Sequence, residues 1–254
     1  MNQIMTLSKI FARYRAYPIS KYIPQSPVRC FQRLYPKNHF SSQVEAFLRE
    51  HIYNPAQRGA DLPWWGSKYF TDEIGRRVMV ISQDSLADDA ESIVFWACLY
   101  PVVSSKDEYI KFTQGLDNKN LFAFNRWETM RKQLLDWKID LRLCYITDAS
   151  KVYKDDSRKS FDKPKSKELL KAEIEFCNPD LVILLGKSPL LLMDFPQLSH
   201  INPTKKYAYA VEAGKLLWFE NKKYVIAPFP IGQGRTQPNF KRRLEIASSL
   251  IKNG

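Results

Sequence analysis

Four short stretches of the chain are apolar almost without interruption. They read RRVMVISQD (76–84), LRLCYITDAS (141–150), PDLVILLGKS (179–188) and KYVIAPFP (223–230). Each is rich in Val, Ile, Leu or Tyr and stops at Ser, Asp, Gly or Pro, the pattern of a strand covered on both faces. The segments between them have a different rhythm. In NRWETMRKQLLDWKI (125–139), Trp127, Met130, Leu134, Leu135 and Trp137 recur at helical spacing, and in SKELLKAEIEFC (166–177), Leu169, Leu170, Ile174 and Cys177 do the same. Strand, helix, strand predicts right-handed crossovers into a parallel sheet. The expected architecture is a three-layer αβα sandwich around a central, mostly parallel four-stranded sheet. GKLLWFENKKYVI predicts a hairpin into the last strand, and PNFKRRLEIASSLIK a helix with its proline in the first turn. Residues 1–70 read as a basic, partly helical extension packed on an α/β domain of residues 71–254.

Composition supports an ordinary core, since 44% of the 254 residues are hydrophobic. Charge changes the picture more. A formal net charge of +12 suits a partner carrying a dense row of phosphates, although it also serves an anionic membrane or solubility. The first 44 residues hold Lys9, Arg13, Arg15, Lys21, Arg29, Arg33 and Lys37 and no acid. Presequences and nucleic-acid-binding arms share that pattern, and it is read here as an arm of the mature protein. No apolar run approaches the roughly 18 residues that span a bilayer. Cys30, Cys98, Cys144 and Cys177 lie far apart, and His39, His51 and His200 are isolated from one another. That spacing disfavours a zinc site or a Ser-His-Asp triad and predicts reduced, mostly buried thiols. The expectation is a cytoplasmic monomer with no cofactor and no membrane partner.

In an open parallel sheet, ligands gather beyond the carboxyl ends of the strands. Four places qualify: Gln83 with Asp84, Asp148 to Lys151, Gly186 to Ser188, and the loop PFPIGQGR after the last strand. In that loop Gly232 and Gly234 remove side chains so that backbone N–H groups can approach a phosphate, with Arg235, Lys241, Arg242 and Arg243 supplying charge. A plain Gly/Pro turn before a solvated basic helix is the alternative. Lys187 and Ser188 open a predicted helix, where free N–H groups and a hydroxyl can hold a phosphate or simply cap the helix.

Taken in order, these strand ends resemble the uracil-DNA glycosylase superfamily over about residues 75 to 250. SQDS keeps Gln83 and Asp84 of that family's first motif, with Ser82 and Ser85 where the family has Gly and Pro. YITDASKV sets Thr147, Asp148 and Lys151 where the family has a Thr-Asn pair followed by Lys, and PDLVILLGKSP matches its glycine-ended strand. PFPIGQGR stands at its His-Pro-Ser-like motif and DNA-entering loop, so the resemblance implies that Ile231 or Gln233 fills the vacated base stack.

The resemblance implies a monofunctional glycosylase that swings a nucleotide out of DNA and hydrolyses its N-glycosidic bond. Cleavage builds positive charge on the sugar and negative charge on the base, so Asp84, beside Gln83, stabilises the cation and orients water. An N-cap for the segment LADDAES is the bland role for Asp84. The flipped base needs an aromatic face, for which VFWACLYPV offers Phe95, Trp96 and Tyr100.

Two departures stand out. Asp148 replaces the Asn that reads uracil; an ionised carboxylate only accepts, which repels uracil O4 and suits the N4 amine of cytosine, whereas a buried, protonated Asp148 could imitate Asn or donate to cytosine N3. Phe229 replaces the His that hydrogen-bonds the leaving base. The expected substrate is a cytosine-type or modified base, as in defence against phage DNA with altered cytosines. A catalytically degenerate nucleic-acid binder, classical uracil excision and an enzyme acting on free nucleotides are the rivals. The family's iron–sulfur cysteines have no counterpart, since Cys30 alone precedes the first motif.

Overall fold

The computed structural model describes residues 64–65, 68–70, 74–83, 122–150 and 163–254. The chain is an α/β protein. Its strands are β1 (Trp64–Trp65), β2 (Val78–Ser82), β3 (Cys144–Asp148), β4 (Leu181–Leu185), β5 (Leu217–Phe219) and β6 (Lys222–Ala227). Its helices are α1 (Phe122–Asp136), α2 (Lys163–Cys177), α3 (Lys187–Leu192), α4 (Lys206–Glu212) and α5 (Phe240–Asn253). The sheet is mixed and six-stranded, in the order β1-β3-β2-β4-β6-β5. The β2/β3, β2/β4 and β4/β6 pairs are parallel, whereas β1 and β5 add antiparallel edges.

Every residue of β2, β3 and β4 is buried, as continuous Val, Ile and Leu runs require when helices cover both faces. Side-chain alternation sorts those faces. Tyr145 and Thr147 meet Glu173 of α2, while Lys171 of the same helix lies 4.7 Å over the ring of Phe219. On the opposite face, Trp137 after α1 donates its indole N–H to Ser248 Oγ of α5 at 2.8 Å. Buried Met130, Leu134 and Trp137 bring α1 to the sheet, and Leu170, Ile174 and Cys177 bring α2. On α5, Arg243, Ala247 and Ile251 form the buried stripe at four-residue spacing.

Chain reversals are built locally. After α1, Lys138 adopts φ 59°, and the N–H groups of Lys138 and Ile139 close on the carbonyls of Leu135 and Leu134. That is a Schellman closure with lysine where glycine is usual. The hairpin between β5 and β6 turns through Glu220 and Asn221, both at positive φ, as type I′ geometry demands. The outer edge of β5 is partly capped, because the Gln197 amide donates to the Trp218 carbonyl at 3.0 Å.

The α5 start differs from expectation. Asn239, at φ 60°, is its N-cap, so Pro238 precedes the helix rather than occupying its first turn. Helix α4 and the two-residue β1 are elements that the hydrophobic pattern did not single out. Cys144 and Cys177 are buried free thiols, and burial pushes the Cys144 thiol well up from its ordinary value. No helix among the described residues is long and apolar enough to cross a membrane.

Candidate functional site

The order β3-β2-β4-β6 reverses direction at the β2/β4 seam: from β2 the chain moves outward to β3, then returns past β2 to β4. In open α/β sheets such a reversal marks the place, beyond the carboxyl ends of the strands, where ligands gather. Gln83 follows β2 directly, and Ser188 lies in the first turn of α3 after β4. The Ser188 hydroxyl donates to Gln83 Oε1 at 2.7 Å, across that seam. Ser188 is thus not a helix cap; the N-cap is Gly186, which offers no side chain.

The β3 tip joins on the other side. Ser82 and Asp148 are register partners, and the Ser82 hydroxyl donates to Asp148 Oδ1. Backbone bonds continue the seam past the strands, from Ala149 N–H to the Ser82 carbonyl and from Ser150 N–H to the Gln83 carbonyl, both 2.9 Å. Asp148 is only 4% exposed and Ser150 fully buried. By alternation, Asp148 points to the face of α1 and α5, and Gln83 to the face of α2. Near Gln83's side of the sheet, Glu173 is fully buried and receives the hydroxyls of Tyr145 at 3.3 Å and Thr147 at 3.4 Å. Burying a carboxylate is costly unless hydrogen bonds compensate, which is the part those hydroxyls play.

The β4 and β6 tips are clasped in the same way. Gly186 donates its N–H to the Ala227 carbonyl at 2.8 Å and takes φ 84° and ψ −165°, a region essentially reserved for glycine. A Cβ there would lie 3.9 Å from Phe229 Cβ, so the demand is conformational rather than spatial. Gly234 is the reverse case. A Cβ built on it would sit 2.0 Å from the Phe229 carbonyl oxygen. Its N–H donates to the Ile231 carbonyl at 3.1 Å within a 3₁₀ turn, Gly232–Thr236, that also contains Gln233. Close backbone packing therefore gives this glycine a reason other than room for a phosphate.

Three sequence-based expectations change. Ile231 is 5% exposed and belongs to the core, which removes it as a side chain offered to a base stack. Arg243 is buried rather than a solvated cation. Its Nη2 and Nε donate to Glu212 Oε1 at 2.6 and 2.8 Å, and its guanidinium lies 5.7 Å from the Tyr207 ring. The hydrogen bond from Arg243 holds the Glu212 carboxyl below its ordinary range. The sheet is wider than the four strands expected: β3-β2-β4-β6 pair parallel, β1 adds an antiparallel margin on one side, and the expected hairpin strand β5 adds the other.

Lys187, Arg235, Lys241 and Arg242 are exposed, and Phe229 is half-buried between Gly186 and Gly234. Asp84, Phe95, Tyr100 and Lys151 lie outside the described residues. The structure thus brings Gln83, Ser188, Asp148, Phe229 and the Gly232–Thr236 turn to one end of the sheet. Sequence reasoning missed Ser82, Ser150 and Glu173 as polar groups buried at that end; for Glu173 the signal was its place on the stripe of Leu170, Ile174 and Cys177. Among the described residues, no cluster of His, Cys, Asp and Glu has the makings of a metal site. No protein-family model matches this chain, and no curated protein matches it.

Proposed function

We propose that this chain is a monofunctional DNA glycosylase with a uracil-DNA-glycosylase-like three-layer fold, acting on a cytosine-type or modified base. The observation that supports this most is that the β2, β3, β4 and β6 tips end side by side at one end of the sheet, with Gln83 tied to Ser188 on one face and Asp148 buried on the other. Exposed Lys187, Arg235 and Lys241 follow the same strand ends, where a phosphate backbone needs them.

In this reading Asp84, next to Gln83, faces the sugar of a flipped nucleotide and orients water. Asp148 selects the base in this reading: its carboxylate, which takes the Ser82 hydroxyl, is an acceptor suited to an amine such as cytosine N4. Phe229 supplies an apolar wall. No cofactor has a part in the reaction. The test is incubation with oligonucleotides containing uracil, cytosine or bulky 5-substituted cytosines, followed by assay for abasic sites. Product that vanishes in Asp84→Ala is the expected result; absence of product from every base overturns the assignment.

A second reading, a nucleic-acid binder that no longer cuts, is favoured by Phe229. A phenyl ring cannot hydrogen-bond the departing base, and loss of one such donor costs about 100- to 1,000-fold in rate. Salt-sensitive binding to every oligonucleotide without product identifies the binder.

A further inference from the structure

A second surface, built by the segment after β6 together with α4 and α5, carries more cations than acids. Residues 231–242 contain Arg235, Lys241 and Arg242 and no carboxylate, and all three are exposed. Helix α4 is fastened to the first turn of α5 by Arg243, which pairs with Glu212 and covers Tyr207. Glu212 is the single acid in residues 199–215, and that pairing already engages it; Lys206 also neighbours Asp194, which is paired with Lys167. At the head of α4 stand Lys205, exposed, and Lys206, half-buried. Lys205, Arg235 and Lys241 form no ion pair among the described residues.

Charge alone would suit any polyanion, and the aromatic residues narrow the choice. Tyr209 on α4 is 48% exposed, with the His200 ring held edge-on to it at 6.2 Å and 84°. Among the large hydrophobic side chains exposed in the described residues, Tyr209 is the one that lies on α4 or α5. A membrane surface asks for several apolar side chains to insert beside the cations. A duplex keeps its base faces covered. An unpaired base, by contrast, needs one exposed ring next to charges that follow the backbone.

We propose that the α4–α5 face binds a single-stranded nucleic-acid segment, with Tyr209 as the stacking platform and Lys205, Lys206, Lys241 and Arg242 on the phosphates. The inference rests on the nucleic-acid reading of the neighbouring strand ends. It adds a substrate preference: DNA with an unpaired stretch flanking the target nucleotide.

The test is fluorescence anisotropy on the full chain. It compares a blunt duplex with the same duplex bearing a single-stranded tail of about 12 nucleotides, within the range such surfaces cover. The tail is expected to tighten binding about tenfold, and Tyr209→Ala to erase most of that gain while Tyr209→Phe keeps it. Lys205→Ala combined with Lys206→Ala should lower the salt slope for the tailed substrate by about 1.4, near 0.7 per lost phosphate contact. Equal affinity for tailed and blunt DNA overturns the proposal, as does an equal loss on both in the variants. Tighter binding to vesicles containing anionic phosphatidylserine than to tailed DNA, lost in the same variants, also overturns it. Anisotropy requires no excision, so a tail-dependent gain in a chain without glycosylase activity supports this surface while overturning the glycosylase assignment.

Discussion

Ser188 hydrogen-bonds Gln83 at 2.7 Å, so the first turn after β4 and the tip of β2 are held as one piece across the point where the chain reverses its course through the sheet. A half-buried neutral hydrogen bond contributes about 1 kcal/mol to stability. Its larger value here is positional. Ser188→Ala is expected to cost about 1 kcal/mol in denaturant unfolding. Under the glycosylase reading it slows single-turnover excision tenfold or more, through misplacement of Gln83 and the neighbouring Asp84. Ser188→Thr, which keeps the hydroxyl, should recover most of the rate. A rate loss no larger than the stability loss predicts would remove the positional role.

Asp148 provides a direct test of base choice. Asp148→Asn keeps an oxygen for the Ser82 hydroxyl and exchanges the other for an N–H₂ donor, which can serve uracil O4. Under the glycosylase reading, the ratio of excision rates for uracil over cytosine-type bases should rise at least about tenfold. An unchanged ranking of bases would rule Asp148 out as the selector.

Two glycines should fail for different reasons. Gly234→Ala drives a methyl into the Phe229 carbonyl region, and the 3₁₀ turn must move. The expected loss is about 1–3 kcal/mol in chemical unfolding and, under the glycosylase reading, an altered affinity for DNA because the turn itself is displaced. Gly186→Ala has space but not conformation, and should cost about 1–3 kcal/mol from its φ of 84°. Lys138→Gly is the converse case, at φ 59°, and should stabilise the chain by up to about 1 kcal/mol. Thermal melts of the three variants test these signs together.

Glu212 and Arg243 form the buried anchor between α4 and α5. Removing the acid with Glu212→Ala leaves a guanidinium whose side chain is only 9% exposed without its counter-charge. The expected cost is about 2 kcal/mol, below the range for fully buried pairs because Glu212 itself is one-third exposed. Measured stability within error of wild type would mean water takes over the guanidinium.

The same anchor sets an acid dependence. Hydrogen bonds from Arg243, Arg142 and Lys167 lower the carboxyls of Glu212, Asp140 and Asp194, in that order of pairing. Each folded carboxyl binds its proton less readily than in the unfolded chain. Their stabilisation is therefore fully present above the ordinary carboxylate range, about pH 4, and is lost as pH falls through the folded values. Asp194 is 79% exposed, while Glu212 and Asp140 are about one-third exposed, so salt should shrink the effect, most strongly at Asp194. Melting temperatures from pH 6 to pH 2 in low and high salt test this, and Glu212→Gln should flatten the acid limb.

Legibility in the sequence followed burial. The runs around Val80, Ile146, Ile183 and Val225 announced β2, β3, β4 and β6 because strands covered on both faces can afford few polar residues. The two-residue β1 is too short for any period to register. Glu173 and Arg243 were harder, since composition reads charge as surface. Yet each sits on its helix's buried stripe, beside Leu170, Ile174 and Cys177 in one case and Ala247 and Ile251 in the other. Spacing carried that information where residue type concealed it. The strand tips were legible as places, but Ser188 joining Gln83 and Gly234 packing on Phe229 depend on contacts far apart in the chain, 105 residues for the first pair.

The Gln197 side chain on the Trp218 carbonyl bears on how this molecule meets others. An edge strand attracts foreign strands through its unused backbone acceptors, and β5 has only three residues, one of them already claimed by an amide from its own chain. Recruitment of another polypeptide as a continuation of the sheet is disfavoured at that margin, and companions arriving there must be recognised by side chains such as Trp218 and Lys223 instead.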